Sequence, residues 1–482
     1  MLLYNGKKDA KYYINAIIGL AIVAIFWNLP PYEPITEIGM KILGLFIGAC
    51  WLWSTVEMVW PSMMLICGIG LTGYTNIPGA LALCLGDDVV WMCIFSMAIV
   101  GAITSVGLND YIVSAMMGNK IINGRPWVFT GVFLGACMIF CCLVNYLIGF
   151  FLFWAMIEEI AEKFGYKKGD KYIMLLYMGT MVTGMMAANI LPFKNMPLFV
   201  ISTLKNMVSI ELEYSDYMLV SIPLSVAYVV GYTLFMRFIM RCDVTNLANI
   251  NASDFKKDLP PMNSKQKFML TYLLVFIGTI IVLSFMPKTS FLGQLNSKLG
   301  VVGIMMCYFV LLSILQFNGK SGLVFSEVSK NIYWDMPILL GSAIGVSDIL
   351  MSDATGIKTL VSNWLSPIFT GMSPLVFLIA ILVLAVILTN IGNNLVVCFV
   401  MLPIAVALSA TVAINLQSVV TLLLYAVLIA YLLPSSCATV AMLFALPLVD
   451  EKQWIKYAIP VIICSTVILL GVGIPLCSIF FS

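Results

Sequence analysis

The chain has 482 residues, of which 62% are hydrophobic and 10% charged, with a formal net charge of +2 and no histidine. Apolar runs of about 20 residues, the length that crosses a bilayer, recur from end to end, which is the composition of a polytopic membrane protein. The near-neutral charge argues against a nucleic-acid partner, and the missing histidines remove metalloprotease, rhomboid-like and most acid/base arrangements, so no enzyme is expected.

The first apolar span, 13–29, follows Lys7, Lys8 and Lys11. It is longer than a signal-peptide core and has no small-residue cleavage site before Pro30-Pro31, so it reads as a retained helix. Ten further spans follow at 36–53, 57–73, 89–107, 172–203, 217–236, 268–286, 300–317, 333–350, 416–446 and 457–480. Lys41, four residues after Glu37, reads as a paired or snorkelling lysine. Gly86-Asp87-Asp88 reads as a solvated turn in an outer loop. Thirteen cysteines are scattered through the spans without a CxxC pair, which suits soft apolar packing and implies no redox compartment.

Two more apolar tracts, 127–158 and 374–409, are too long for one crossing and have no charged turn that would make two. Each carries asparagine and glycine at its middle, CCLVNYLIGFF in the first and ILTNIGNNLVV in the second. Side-chain amides are costly in hydrocarbon, and broken backbone at that depth is tolerated where protein or a water-filled cavity surrounds it. Each tract therefore reads as a re-entrant hairpin with its tip near the midplane. The expected fold is an all-α polytopic membrane protein of about 11 transmembrane helices plus two re-entrant hairpins in two inverted repeats.

With the N-terminus in the cytoplasm, the first hairpin entering from the cytoplasm and the second from outside, inner segments collect 19 Lys and Arg. The outer segments hold only Lys205, Lys288, Lys298 and Lys358, a distribution that satisfies the positive-inside rule. Three landmarks then repeat at one spacing: Trp91 and Trp334 are 243 residues apart, Asn145 and Asn390 245, and the Leu191-Pro192 and Leu433-Pro434 breaks 242. The chain divides into an N-terminal helix (1–35), a first repeat (36–236), a cytoplasmic linker (237–267) and a second repeat (268–482). An odd number of spans between the repeat starts turns the second copy over, and inverted repeats with broken helices mark a secondary transporter with its site at the midplane.

Hairpin asparagines, each followed by a helix broken at LPFKN (191–195) or LPSSCAT (433–439), resemble the divalent anion/sodium symporters (DASS) of the ion transporter superfamily. In that family each hairpin tip carries Ser-Asn-Thr and each broken helix a Pro-containing loop. Here the second tip reads Thr389-Asn390-Ile391 and the first Val144-Asn145-Tyr146. The resemblance implies a homodimeric secondary active transporter of small anions, di- or tricarboxylates above all, working by elevator-type alternating access in the cell membrane. It implies substrate contacts at Asn145, Thr389, Asn390, Asn394, Pro434, Ser435 and Ser436, and cation contacts at Asn145, Gly184, Leu388, Asn390 and Ser435. No organic cofactor is implied, and Na+ is the candidate coupling ion. Hydroxyl ligands implied near the first tip are replaced by Phe140 and Val144, and one near the second by Ala385. Lys194, inside the broken LPFKN stretch, is a candidate built-in cation for the first half.

The residues themselves support an anion site. A hairpin tip exposes the backbone N–H groups that begin its second limb, and the positive end of that helix favours a carboxylate. Asparagine adds a donor for an anion and an acceptor for a cation. Other readings stand beside these. Asparagine is a favoured N-cap, so Asn145 and Asn390 divide between capping and ligand binding. Asn393 and Asn394 divide between lining the site and bonding between helices, and Lys194 between a site cation and a snorkelling anchor. A monocarboxylate or inorganic oxyanion carrier or exchanger of the same superfamily is the nearest functional alternative. An anion channel, the alternative from another class, would need a continuous pore.

Overall fold

The computed structural model describes residues 8–481 except 109–110, 112–113, 115–117, 119, 144–145, 194, 209–211, 252–259, 285, 287–288, 318–319, 333, 351, 358, 361–362, 364–370, 413, 434–435 and 445. Val144, Asn145, Lys194, Lys288, Lys358, Pro434 and Ser435 therefore lie outside the described residues.

Helix α1 (Ala10–Asn28) starts at Asp9, whose side chain accepts the N–H of Tyr12, and it runs along α2 (Glu37–Thr55), capped in the same way by Thr36. Gly44 and Gly48 on α2 let the two backbones approach: a Cβ would meet Phe26 Cβ at 2.3 Å in the first case and Val23 Cγ2 at 2.6 Å in the second. Lys41 is paired with Glu37 at 2.7 Å.

After α3 (Val59–Leu71) comes α4 (Ile77–Leu85), a helix that lies between the expected spans 57–73 and 89–107. Its signals are present, an Asn76 side chain accepting from Gly79 N–H and a proline in the first turn, but nine residues are too few to register as a span. It meets α5 (Asp88–Thr104) at a bend of 52°. Gly86-Asp87-Asp88 is thus a tight joint between helices: Gly86 caps α4, Asp88 opens α5, and the Ser202 hydroxyl donates to the Asp87 carboxylate at 3.4 Å.

The first long tract is two helices packed on each other, α6 (Pro126–Leu143) and α7 (Tyr146–Phe164), followed by α8 (Lys171–Ala188), α9 (Asn195–Val208) and α10 (Tyr214–Leu234). The expected span 172–203 is accordingly a helix broken between α8 and α9. Every residue of α8 from Tyr172 to Ala188 is buried, as expected of a helix apolar on all faces. Its end is closed by hydroxyls of α10: Tyr217 Oη donates to the Asn189 carbonyl at 2.6 Å and Ser221 Oγ to the Ile190 carbonyl at 2.9 Å. Protein groups in this way satisfy the backbone that a break frees in an apolar surrounding.

The second half runs α11 (Ser264–Ser284), α12 (Phe291–Ile314), a two-residue ladder pairing β1 (Gln316–Phe317) with β2 (Lys320–Ser321), the short α13 (Phe325–Val328) and α14 (Asp335–Leu350). Then come α15 (Pro374–Ile391), α16 (Asn394–Val412), α17 (Leu416–Val427), α18 (Ala438–Leu443), α19 (Glu451–Ile468) and, after a π turn, α20 (Ile474–Phe480). Helix pair, broken helix, further helix is thus the order of elements in both halves. The span expected at 416–446 is broken between α17 and α18, and α17 is buried from Ser418 to Val427. Among the described residues eight helices are long and apolar enough to cross a membrane, or nine with α4 and α5 as one span. That set includes one limb of each long tract, α6 and α15, whereas α3, α5 and α14, with 13, 17 and 16 residues, are each too short to enter it alone and neither broken span enters as one helix.

Candidate anion site at the second hairpin tip

Helix α15 ends at Ile391, Gly392 turns the chain, and α16 begins at Asn394. Facing this tip is the non-helical stretch that follows α17, Leu428 to Cys437 apart from 434–435. Asn390, 5% exposed, joins the two. Its Oδ1 accepts the N–H groups of Tyr431 and Leu432, both at 3.0 Å, and its Nδ2 donates to Ile429 O at 2.6 Å and Val386 O at 2.8 Å. Two donors and two acceptor sites are the whole capacity of the amide. Thr389, fully buried, donates its hydroxyl to Val427 O at 2.7 Å. From the other side Asn394 N–H donates to Ser436 O at 3.0 Å, the Ser436 hydroxyl turns back to Leu433 O at 2.6 Å, and Trp454 Nε1 donates to Tyr431 O at 2.8 Å.

Asn393 and Asn394 form the start of α16. Asn393 Oδ1 accepts from Leu395 N–H at 3.0 Å and Val396 N–H at 3.5 Å, and Asn394 Oδ1 accepts from Leu395 N–H at 2.9 Å. Because a backbone N–H can only donate, these contacts fix the oxygen of each amide toward the helix and turn each Nδ2 away from it. Neither Nδ2 has a hydrogen-bond partner among the described residues, and both residues are 7% exposed. The tip therefore presents two neutral N–H2 donors at the positive end of a 19-residue helix. Amides, hydroxyls and backbone groups make up this tip, with no carboxylate or ammonium among its described residues.

Of the residues named from the sequence, Thr389, Asn390, Asn394 and Ser436 come together here. Leu388 lies one residue earlier, and its carbonyl accepts Gly392 N–H at 2.8 Å. Gly184 lies elsewhere, within α8 against the first hairpin, where a Cβ would meet Phe150 Cε1 at 2.3 Å and Cys141 Sγ at 3.3 Å. Phe140 is fully buried in the same region, and Thr180 is engaged by Trp154 Nε1 at 3.1 Å. Asn145, Lys194, Pro434 and Ser435 fall outside the described residues. Sequence reasoning missed Asn189, which reaches Leu424 O through Nδ2 at 2.9 Å. Its only signal was an amide at the end of an apolar run, two residues before Leu191-Pro192.

Helix pairs followed by broken helices, with neutral donors at the second tip, fit the class of secondary transporters that hold an anion at a broken-helix site. The family model of the citrate transporters (CitMHS) matches residues 12–430, and the chain belongs to this family. It is 21% identical over 500 residues to the sodium-dependent dicarboxylate transporter SdcS of Staphylococcus saprophyticus subsp. saprophyticus, covering 98% of this chain and 93% of the relative. Its fold is similar to that of the Alcanivorax borkumensis YdaH transporter, with a TM-score of 0.57, 12% identity and 96% of each chain covered. The chain is a divergent member of the divalent anion/sodium symporters, a multi-pass membrane protein of a transporter family and not an enzyme.

Proposed function

We propose that the protein carries a small anion, a di- or tricarboxylate, with one carboxylate held at the second hairpin tip. The observation that carries this reading is the pair of outward-turned amide nitrogens of Asn393 and Asn394 at the start of α16. Asn390, Thr389 and Ser436 hold the tip against the broken helix. Asn145, Pro434 and Ser435, which lie outside the described residues, complete the anion site in this proposal. The order of helix pair, broken helix and further helix in each half supports two inverted repeats and an elevator-type movement of the hairpins and broken helices against the remaining spans in a homodimer. The lysine and arginine distribution supports a cytoplasmic N-terminus in the cell membrane.

The sodium-dependent relative supports Na+ as the coupling ion. Leu388 and Ser435 are its proposed ligands in the second half, and Asn390, whose amide is fully engaged by backbone, serves the ion only by fixing the tip. In the first half, with Asn145 and Gly184, the ammonium of Lys194 takes the place of an ion, so one coupling ion at most is needed. A fixed positive charge both attracts the anion and repels a metal ion. Lys194→Ala then weakens anion binding and Lys194→Arg restores it in part; parental binding and cation dependence in Lys194→Ala would sink this role.

The test of the substrate class is a thermal-shift screen of carboxylates and oxyanions in sodium, potassium and acid buffers, followed by uptake into proteoliposomes. A ligand that binds the native state raises its apparent stability. Di- or tricarboxylates are expected to stabilise the protein most. Stabilisation by an inorganic oxyanion alone, or conductance without saturation, would overturn the proposal.

A further inference from the structure

Asn189 caps the end of α8 and is fully buried. Its Nδ2 donates to the carbonyl of Leu424, 235 residues along the chain, and its Oδ1 has no hydrogen-bond partner among the described residues. A buried amide with one orphaned oxygen is a disfavoured occupant of an apolar core, so the donor is what this position uses. Near the end of α17 three carbonyls are taken by side chains: Leu424 by Asn189, Val427 by Thr389 and Ile429 by Asn390. The first donor comes from the first broken helix and the other two from the second hairpin. Just beyond these carbonyls, Tyr431 and Leu432 give their N–H groups to Asn390. Leu424 and the turn that carries Asn393 and Asn394 are therefore joined by a continuous run of backbone and hydrogen bonds through Asn390.

We propose that Asn189 is a positioning residue that ties the two broken helices at their breaks and thereby sets the anion affinity of the second hairpin tip. It touches no ligand itself. The proposal rests on the reading that the anion binds at that tip, so two readouts are paired: anion affinity, and hydrogen exchange of the 428–433 backbone without ligand. If the parent binds no carboxylate, the functional reading fails while exchange still tests the latch.

The variants are Asn189→Leu, which removes the donor at similar volume, and the isosteric Asn189→Asp, whose neutral carboxyl keeps one O–H donor. Burial raises the pKa of such a carboxyl, so it is neutral at pH 5.5. In purified full-length protein titrated with citrate and succinate, Asn189→Leu should raise Kd at least tenfold and speed exchange at 428–433 at least tenfold. Asn189→Asp at pH 5.5 should match the parent in both, and lose both as pH rises through its carboxyl pKa. Parental exchange in Asn189→Leu overturns the proposal, and so does a loss in Asn189→Asp at pH 5.5 as large as that of leucine, because the effect would then belong to packing and not to the donated bond. Should Asn189→Leu fail to fold, the same Asn189→Asp sample stepped from acid to alkaline pH decides, unchanged exchange relative to the parent overturning the latch.

Discussion

Asn390 Oδ1 accepts the backbone N–H of Tyr431 at 3.0 Å, fastening a hairpin tip to an unwound stretch 41 residues further along the chain. Removal of the amide would also strand Ile429 O in a buried setting and Leu432 N–H in a half-buried one. Each stranded group costs about 1–3 kcal/mol, so Asn390→Ala should lose at least about 3 kcal/mol of stability without any ligand. Thermal unfolding of the ligand-free protein measures this, and an unchanged midpoint would show that the amide faces a ligand and not the backbone. Uptake is expected to fall with it.

Asn393 and Asn394 should behave differently from Asn390. Asn394→Ala removes one outward donor while leaving the Ser436 bond, which uses the backbone N–H. A hydrogen bond to a charged partner contributes about 1.5–3 kcal/mol, so anion affinity should fall about tenfold or more with little change in stability. Asn393→Asp keeps the oxygen that caps Leu395 and Val396 but replaces the donor with a negative charge. Calorimetric titration should find a folded protein with no measurable carboxylate binding; undiminished binding would place the anion elsewhere.

Gly184 is held to a hydrogen by its surroundings, a Cβ falling 2.3 Å from Phe150 Cε1 and 2.9 Å from Phe150 Cζ. Gly184→Ala should therefore overpack the contact between α8 and the first hairpin and cost about 1–3 kcal/mol. Phe150→Leu in the same chain should recover part of the loss in a thermal-unfolding series. Additive losses would refute the contact.

The pH dependence of binding at the second tip should follow the ligand. Amides and hydroxyls do not titrate in the working range, and the chain has no histidine. Affinity for a dicarboxylate should be constant above the ligand's own pKa values and fall as pH drops through them. Comparing two dicarboxylates of different acidity checks this: midpoints that shift with the ligand support the neutral site, whereas a shared midpoint would reveal an ionising protein group.

Membrane orientation can be read with single cysteines on a background lacking the native ones. Asn251, in the linker, and Asp353, after α14, are both exposed. Asn251→Cys should react with an impermeant maleimide only after permeabilisation and Asp353→Cys in intact cells. Reaction of both from one side would sink the proposed topology.

The amino-acid sequence by itself determined the membrane class, the places of the two long apolar tracts and the breaks near Leu191-Pro192 and Leu433-Pro434. Those properties are local: a run of apolar side chains, a proline without an N–H and an amide in hydrocarbon each carry a cost readable in one dimension. Helix α4 escaped because nine residues give too weak a hydropathy signal. Tertiary structure alone decided what each amide does. Asn390 and Asn394 look alike in ILTNIGNNLVV, yet one spends its whole hydrogen-bonding capacity on the backbone between Ile429 and Leu432 while the other turns its nitrogen outward. The division depends on which carbonyls and N–H groups the break after α17 leaves open. Hydrogen bonds are short and directional, so their partners are set only when the two halves are packed together.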